Sequence, residues 1–280
     1  MQTFRIPIGD VVDSSVSWLL EHAGFMFSWL DDQIYSWVVG VETVLGWIPF
    51  WLFVLCAAAL AWKLAGRGLA IFTVLGFSLI YNLGLWDASF QTLTLIITAQ
   101  LITILFSVPL GILMAKSDTA NRIMRPILDF MQTMPAFVYL IPAVMFFSLG
   151  RVPGVIATII FATPPMMRLT ALGIRQVPRE LIEAGQAFGS TTAQLLWKVE
   201  LPHATPTILA GLNQSIMLAL SMVVIASMIG AGGLGSAVLR GVQRVQIGVG
   251  FESGLAVVIL AIYLDRLTQS LGSQVQKKGV

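Results

Sequence analysis

The chain has 280 residues, of which 57% are hydrophobic and only 11% are charged, and its mean hydropathy is +0.86. Soluble domains carry about a quarter charged residues, so this composition indicates a membrane protein. The net charge of +2 gives no basis for binding nucleic acid. The single cysteine, Cys56, excludes an intrachain disulfide and any site built from several cysteines.

Residues 1–46 form the first predicted segment and are amphipathic. Trp18 and Trp29 belong to an apolar set at helical spacing, while Asp31 and Asp32 interrupt any long apolar run. Tryptophan is enriched where the bilayer meets water. We therefore predict an extracytoplasmic helix that lies in the membrane interface and does not cross it. A mobile tail is the alternative.

Seven apolar runs follow within residues 47–280, which form the predicted transmembrane domain. Each run approaches the about 20 residues that an α-helix needs to cross a bilayer. The runs lie near 47–63, 68–86, 89–115, 134–150, 152–174, 206–229 and 252–272. The sequence thus predicts an all-α membrane protein with about seven transmembrane helices.

Prolines interrupt two of the central runs. Pro135 and Pro142 flank the fourth run, and Pro164 and Pro165 break the fifth. A proline inside a helix removes one backbone hydrogen bond and bends the axis, and in lipid the freed carbonyl needs another partner. We therefore expect these helices to lie in the interior of the bundle, around a pathway that opens and closes. A static bent bundle is the alternative.

Polar side chains of the third and sixth runs would line that pathway. They are Gln91, Thr92, Thr98, Gln100 and Thr103 on the third run, and Asn213, Gln214, Ser215 and Ser221 on the sixth. Hydrogen bonds between helices would explain the same residues without any transport. The sequence leaves both interpretations open.

A polar stretch at 178–202 stands out from the apolar domain around it, and it predicts two short helices with a hinge. Gly189 offers the left-handed residue that ends the first helix. Thr191 and Gln194 have the spacing of a capping box that opens the second. The second helix is expected to end at Leu201, because a residue that precedes proline is disfavoured in the helical region.

The residues of this stretch resemble the EAA signature of permease subunits of ATP-binding cassette (ABC) importers. That signature reads Glu-Ala-Ala, three residues, Gly, nine residues, Ile, one residue, Leu-Pro. The chain keeps every spacing, and its matching residues are Glu183, Ala184, Gly185, Gly189, Val199, Leu201 and Pro202. It departs from the signature twice, with Gly185 for the second Ala and Val199 for the Ile. Glycine lowers helix stability by about 1 kcal/mol relative to alanine, which predicts a looser first helix.

This resemblance implies that 178–202 is the cytoplasmic coupling element, which docks on a separate ATPase subunit. Two further stretches, QTMPAFVYLIPAVMFFSLG at 132–150 and MIGAGGLG at 228–235, are similar to permeases that import glycine betaine, proline and choline. The resemblance implies a type I importer in the cytoplasmic (inner) membrane of a bacterium. Its expected substrates are quaternary amines: choline, glycine betaine or proline betaine.

The implied partners are a second copy of the chain, two ATPase subunits and an external or periplasmic substrate-binding protein. ATP and Mg²⁺ would be bound by the ATPase, so no cofactor is expected in this chain. The sequence agrees, because it contains no phosphate-binding G-x-x-x-x-G-K-[ST] loop. The only two histidines, His22 and His203, fall on opposite sides of the membrane, so we predict neither an enzyme nor a metal site.

The positive charges independently support a cytoplasmic location for 178–202. With that stretch inside, twelve of the sixteen lysines and arginines lie on the same side, as the positive-inside rule requires. The twelve are Lys63, Arg67, Lys116, Arg122, Arg125, Arg168, Arg175, Arg179, Lys198, Arg266, Lys277 and Lys278, and the four outside are Arg5, Arg151, Arg240 and Arg244.

A cluster of glycines follows the sixth run. Gly230, Gly232 and Gly235 satisfy the dinucleotide-binding pattern G-x-G-x-x-G, but that motif needs a preceding strand, and here a membrane span precedes it. We predict a flexible external loop that also includes Gly233 and reaches about Gly250. The family resemblance implies that these glycines form part of an external gate.

Two other functions compete with the ABC permease. An ion-coupled secondary transporter would need an acidic residue in mid-membrane. The acidic candidates Asp87, Asp129, Glu252 and Asp265 lie at or near span ends in the sequence, which weakens this alternative. A membrane scaffold without transport would need neither bent spans nor a coupling element.

Overall fold

The computed structural model describes residues 8–278, with side chains for residues 9–273. This range contains no strand, which confirms the predicted all-α class. Its helices are α1 (Ile8–Gly46), α2 (Phe50–Ala65), α3 (Arg67–Asn82), α4 (Trp86–Lys116), α5 (Asp118–Thr133), α6 (Ala136–Phe147), α7 (Arg151–Arg175), α8 (Arg179–Ala187), α9 (Thr192–Leu195), α10 (Leu201–Ala226), α11 (Gly233–Gln243) and α12 (Ile247–Lys278). A π-helical turn (Leu196–Glu200) joins α9 to α10, and a 3-10 turn (Ser227–Ile229) follows α10.

Seven apolar segments of the described range correspond to the seven predicted spans. Four helices are each long and apolar enough to cross a membrane: α4, α7, the helix that contains α10, and α12. Two bent pairs, α1 with α2 and α5 with α6, meet the same criterion when each pair is taken together. The shorter apolar helix α3 completes the set. At 1.5 Å per residue its 16 residues extend about 24 Å.

The fourth predicted span, 134–150, is not one straight helix. Its apolar helix α6 has only 12 residues, and α5 precedes it at an angle of 101°. The corner lies at Met134 and Pro135, which have extended backbones with ψ of 133° and 135°. The proline explains this corner, because the residue before a proline is pushed out of the helical region.

Contacts at the two ends of the bundle join neighbouring helices. At the end predicted to be external, the ring of Phe50 stacks on Tyr81 with centroids 4.2 Å apart. At the opposite end, Arg175 at the end of α7 donates a hydrogen bond of 2.9 Å to the carbonyl of Met114 near the end of α4. Helices α4 and α7 therefore run in the same direction through the bundle.

Helix α1 lies across the outer end of the bundle, at 94° to α2. Phe27 stacks on Phe146 of α6 with ring centroids 4.4 Å apart, and Glu42 forms an ion pair of 2.6 Å with Arg151 of α7. Burial, together with the neighbouring charge of Asp32, raises the pKa of Asp31 above its usual value. This geometry fits a helix in the plane of the membrane, and its place in the interface stays a prediction.

Helices α4, α7 and α10 form the centre of the bundle and approach each other closely. A Cβ atom at Gly111 of α4 would lie 2.7 Å from Cβ of Thr170 and 2.8 Å from the carbonyl of Met167, both on α7. A Cβ at Gly211 of α10 would lie 3.0 Å from Cβ of Leu169. Small residues at such crossings let membrane helices pack backbone against backbone. These contacts pack the three spans tightly against one another.

The predicted sidedness has a direct test. We expect cysteines at Asp32→Cys and Arg122→Cys, each introduced alone into a Cys56→Ala background, to react from opposite sides of the membrane. Both side chains are exposed, and Cys56 must be removed because it is exposed as well. Labelling intact cells with a membrane-impermeant maleimide should modify the Asp32→Cys protein alone. If intact cells label both variants, the assigned sides are wrong.

Candidate functional site

The polar stretch 178–202 folds as the sequence predicts over most of its length. Gly189 has φ of +77°, and the N–H of Ser190 donates to the carbonyl of Gly185 at 3.0 Å, which closes α8. The hydroxyl of Thr191 accepts from the N–H of Gln194 at 3.3 Å, and the side chain of Gln194 accepts from the N–H of Thr191 at 2.9 Å. The left-handed stop and the capping box are both confirmed.

The predicted end of the second helix at Leu201 is wrong. The chain continues from α9 through the π-helical turn into α10 without leaving the helical region. The N–H of Leu201 donates to the carbonyl of Leu196, five residues back, and Pro202 falls in the first turn of α10. The wider turn accommodates a proline, which has no N–H to donate. The coupling element and span α10 are therefore one continuous helical path.

The two departures from the EAA signature lie in the same contact. A Cβ atom at Gly185 would stand 2.6 Å from Cδ1 of Leu195 and 3.9 Å from Cγ2 of Val199. Glycine at 185 therefore lets α8 pack closely on the second helix, where Leu195 is buried. Gly185 therefore lowers the helix propensity of α8 and also allows α8 to pack against Leu195.

Helix α8 presents an uncovered surface. None of its residues is buried, and Glu183 and Ala184 are both exposed. Two large apolar side chains beside it are strongly exposed, Phe188 at 90% and Trp197 at 69%. Exposed apolar groups rimmed by polar residues mark surfaces that bind another protein. The geometry suits docking of the coupling element on a partner.

Three ion pairs surround the inner ends of the spans. Lys116 lies 2.5 Å from Oε2 and 2.6 Å from Oε1 of Glu200. Arg175 pairs with Asp118 at 2.8 Å, and Arg168 of α7 pairs with Asp129 of α5 at 2.5 Å. Sequence reasoning missed Glu200, because it occupies the one position between Val199 and Leu201 that the signature leaves open.

The prolines of the fifth predicted span do not break it. Helix α7 is continuous from Arg151 to Arg175, and Pro164 and Pro165 are buried inside it. Fixed φ angles of proline are compatible with a helix. A Cβ atom at Gly211 of α10 would lie 3.4 Å from the carbonyl of Pro165, so α10 closely covers this part of α7.

The other two proline candidates lie on α6. Pro135 is the residue that precedes its first turn, and Pro142 is exposed within the helix. Pro135 thus forms the corner between α5 and α6, whereas Pro142 faces outward from the single protomer.

The polar candidates of the pathway divide into two groups. Gln100 donates to Ser215 at 3.1 Å, and Asn213 donates to Asp265 of α12 at 2.9 Å. These side chains join neighbouring helices, as the alternative interpretation predicts. Gln214 and Ser221, by contrast, are exposed on α10. Of the four pathway candidates on α10, these two therefore remain open to a pathway outside the single protomer.

The other polar side chains of the third run also lie inside the bundle. Thr98 and Thr103 are buried on α4, and the hydroxyl of Thr103 donates to the carbonyl of Ala99 at 2.8 Å. They do not line an open channel within one protomer.

The flexible external loop predicted for 230–250 is wrong over most of its length. Residues Gly233–Gln243 form helix α11, and α12 begins at Ile247. Helix α11 packs on α12 so closely that a Cβ atom at Gly241 would lie 2.6 Å from the backbone N of Gly250. The helix preceding Gly230 likewise excludes the strand that a dinucleotide-binding motif requires.

Side chains from α4 fix the start of α11. The N–H of Gly233 donates to Oε1 of Gln91 at 3.1 Å, and the N–H of Leu234 donates to Oγ1 of Thr92 at 2.8 Å. These bonds satisfy donors that the first turn of a helix leaves without partners. Gln91 and Thr92 therefore act as caps for α11, a role that their position in the sequence does not reveal.

The glycines make this arrangement possible. Gly230, Gly232 and Gly233 have φ of +87°, +88° and +70°, angles that side chains other than glycine rarely adopt. A Cβ atom at Gly235 would lie 2.8 Å from Cα of Val224 on α10. The segment 230–235 is thus a compact corner at the outer end of the bundle.

We expect Gly233→Ala to disrupt this corner. Its Cβ would lie 2.5 Å from Oγ1 of Thr92, and a left-handed residue other than glycine costs about 1–2 kcal/mol. Gly248→Ala is the matched control, since no atom lies within 4 Å of that Cβ position. Thermal unfolding in detergent should show a lower midpoint for Gly233→Ala than for Gly248→Ala. Equal midpoints would contradict the assigned contact.

Comparison with protein families places the chain. Residues 107–277 match the family described as "Binding-protein-dependent transport system inner membrane component". The chain belongs to this family. It is 54% identical over 275 residues to the glycine betaine transport system permease protein OpuAB of Bacillus subtilis, with 98% of both chains covered. It is 52% identical to the glycine betaine/carnitine transport permease protein GbuB of Listeria monocytogenes, again with 98% of both chains covered.

A third relative is the glycine betaine/proline betaine transport system permease protein ProW of Escherichia coli, which is 47% identical. That match covers 98% of this chain and 77% of ProW. Among solved structures, an inward-facing form of the MetNI methionine ABC transporter matches with a TM-score of 0.62 and 22% identity. It covers 68% of this chain and 95% of the other, and at this identity it shows the fold alone.

These comparisons confirm the family predicted from the EAA-like residues. The protein is a permease component of a type I ABC importer and a multi-pass protein of the inner membrane. In such systems the permease is not itself an enzyme, and a separate subunit is the ATPase.

Proposed function

We propose that this protein is the translocation subunit of an importer for quaternary amines, namely choline, glycine betaine or proline betaine. The observation that carries the proposal is its 54% and 52% identity, over almost the whole chain, to two permeases whose names specify glycine betaine. This degree of identity supports a shared substrate class more strongly than a shared individual substrate.

The exposed coupling element supports docking on an ATPase. We place Glu183, Ala184, Gly185 and Gly189 at the contact, because none of the residues of α8 is buried by the described part of the chain. Val199, Leu201 and Pro202 then connect the contact to span α10. ATP and Mg²⁺ belong to the ATPase, and this chain contributes no cofactor site.

The translocation pathway lies between two copies of the chain. Within one protomer the central helices are closely packed, whereas Gln214 and Ser221 stay exposed on α10. A second copy would place the equivalent faces opposite one another and enclose a polar passage. Helices α6 and α7, with their prolines, flank this passage. The glycine corner 230–235 closes its outer end, and an external binding protein delivers substrate there.

Reconstitution tests this proposal. The permease is co-expressed with its ATPase, purified and inserted into liposomes, and the uptake of radiolabelled glycine betaine is measured with external binding protein. Uptake should require ATP at the coupling side and should persist when ionophores collapse ion gradients. Excess choline and proline betaine compete as alternative substrates, and methionine is the unrelated control. Uptake that follows an ion gradient without ATP would support a secondary transporter instead.

A further inference from the structure

Glu200 is an acidic side chain enclosed at the joint between the coupling element and the membrane domain. It is 2% exposed and closes the π-helical turn that leads into α10. Both of its carboxylate oxygens lie within 2.6 Å of Lys116, the last residue of α4. A buried charge requires a partner, because desolvation strongly disfavours an isolated ion.

The opposite end of α4 makes a second specific contact. There Gln91 and Thr92 accept hydrogen bonds from the first N–H groups of α11 at the glycine corner. Twenty-four peptide steps separate Thr92 from Lys116, which is about 36 Å of helix at 1.5 Å per residue. Helix α4 thus joins the inner joint to the outer corner, and α7 braces it between them through the Gly111 crossing.

We propose that Lys116 and Glu200 form the positioning contact that transmits movement of the coupling element through α4 to the glycine corner. The inference rests on the proposed function, since it assumes that an ATPase moves α8 and α9. Lys116 is partly exposed, whereas the side chain of Glu200 is 3% exposed, so separating the pair leaves a desolvated carboxylate without its partner. The joint therefore moves as one body with α4, and α4 carries the outer corner with it.

Neutralising Glu200 tests the transmission. Glu200→Gln retains the shape of the side chain and removes its charge, and Lys116→Met removes the other partner. Asp118→Asn is the matched control, because Asp118 also forms an ion pair at this end of the bundle but with Arg175 and at an exposed site. The complex of permease and ATPase is reconstituted for each variant, and both ATP hydrolysis and glycine betaine uptake are measured.

We expect complexes with Glu200→Gln or Lys116→Met to hydrolyse ATP at the basal rate. Loaded binding protein should stimulate their ATP hydrolysis about tenfold less than that of wild type, which corresponds to a loss of coupling free energy of about 1.4 kcal/mol. The number of ATP molecules hydrolysed per imported substrate should rise by a similar factor. A residue that only holds the fold would change the amount of complex and leave this ratio unaltered. Asp118→Asn should keep the wild-type ratio.

Exchanging the two charges provides a rescue. Lys116→Glu combined with Glu200→Lys should recover stimulation above either single variant. A wild-type number of ATP molecules per imported substrate in Glu200→Gln would overturn the inference. Failure of the Glu200→Gln complex to assemble would also overturn it, because the ion pair would then serve assembly. If the wild-type complex itself imports no substrate with ATP, the proposed function fails instead, and the two failures are distinguishable.

Discussion

Gly189→Val is expected to reduce ATP-driven uptake by about tenfold or more, because it removes the left-handed corner between α8 and α9. Gly189 has φ of +77°, and no atom lies within 4 Å of the position that a Cβ would take. The penalty is therefore backbone strain, which is severe for a β-branched residue at positive φ. Relief of that strain reorients α8 and separates Gly185 from Leu195, so the docking surface loses its shape.

Gly189→Asn is the matched control for this variant. Asparagine tolerates the left-handed conformation better than any β-branched residue, and the space around residue 189 accommodates its side chain. It should retain most of the uptake. Both proteins should reach the membrane in equal amounts, since α8 packs on α9 and the π-helical turn and is not itself a candidate span. Co-purification with the ATPase and uptake are measured together, and equal uptake by Val and Asn variants would exclude a role for the corner.

The second large effect is expected at the paired prolines of α7. Replacing Pro164 and Pro165 together by alanine restores two backbone N–H donors, which can bond the carbonyls four residues earlier. Alanine is the best helix former, so we expect the protein to fold and to unfold at an unchanged or higher temperature. Uptake should fall about fivefold or more, because a stiffened α7 no longer adapts its inner half to the coupling element.

Arg168 connects this part of α7 to its surroundings. It lies one turn after the prolines and pairs with Asp129 of α5, so a change in the axis of α7 alters the position of α5 as well. Pro126→Ala serves as the control, because Pro126 also lies inside a helix but on the exposed side of α5. Wild-type uptake by the double variant, with normal amounts in the membrane, would show that the prolines only pack.

Local chemistry made the coupling element predictable. The capping box joins two residues three positions apart, and Gly189 determines its own backbone angle, so both follow from adjacent residues. The seven apolar segments were predictable for a similar reason, since the length and apolarity of each can be read from its own residues.

What the sequence did not reveal depends on residues far apart in the chain. Glu200 meets Lys116 across 84 positions, and Gln91 caps a helix 142 positions later. Helix α11 was predicted as a loop because its glycines suggested flexibility, whereas packing on α12 and caps from α4 stabilise it. Leu201 was predicted as an end because the helical region is disfavoured for a residue before proline. Leu201 nevertheless has helical angles, with φ of −63° and ψ of −44°, and Pro202 lies in the first turn of α10, where a missing N–H is tolerated.

The π-helical turn has a consequence for variation among related permeases. A π-helical turn is equivalent to an α-helix with one inserted residue, so the segment Leu196–Glu200 holds one residue more than a regular helix would need between α9 and α10. In a regular α-helix one added residue rotates everything beyond it by about 100°. The wider turn absorbs the added residue instead, so α8 and α9 keep the orientation that a helix one residue shorter would give them. The surface carrying Glu183 can therefore keep its direction in related permeases whose segment is one residue shorter.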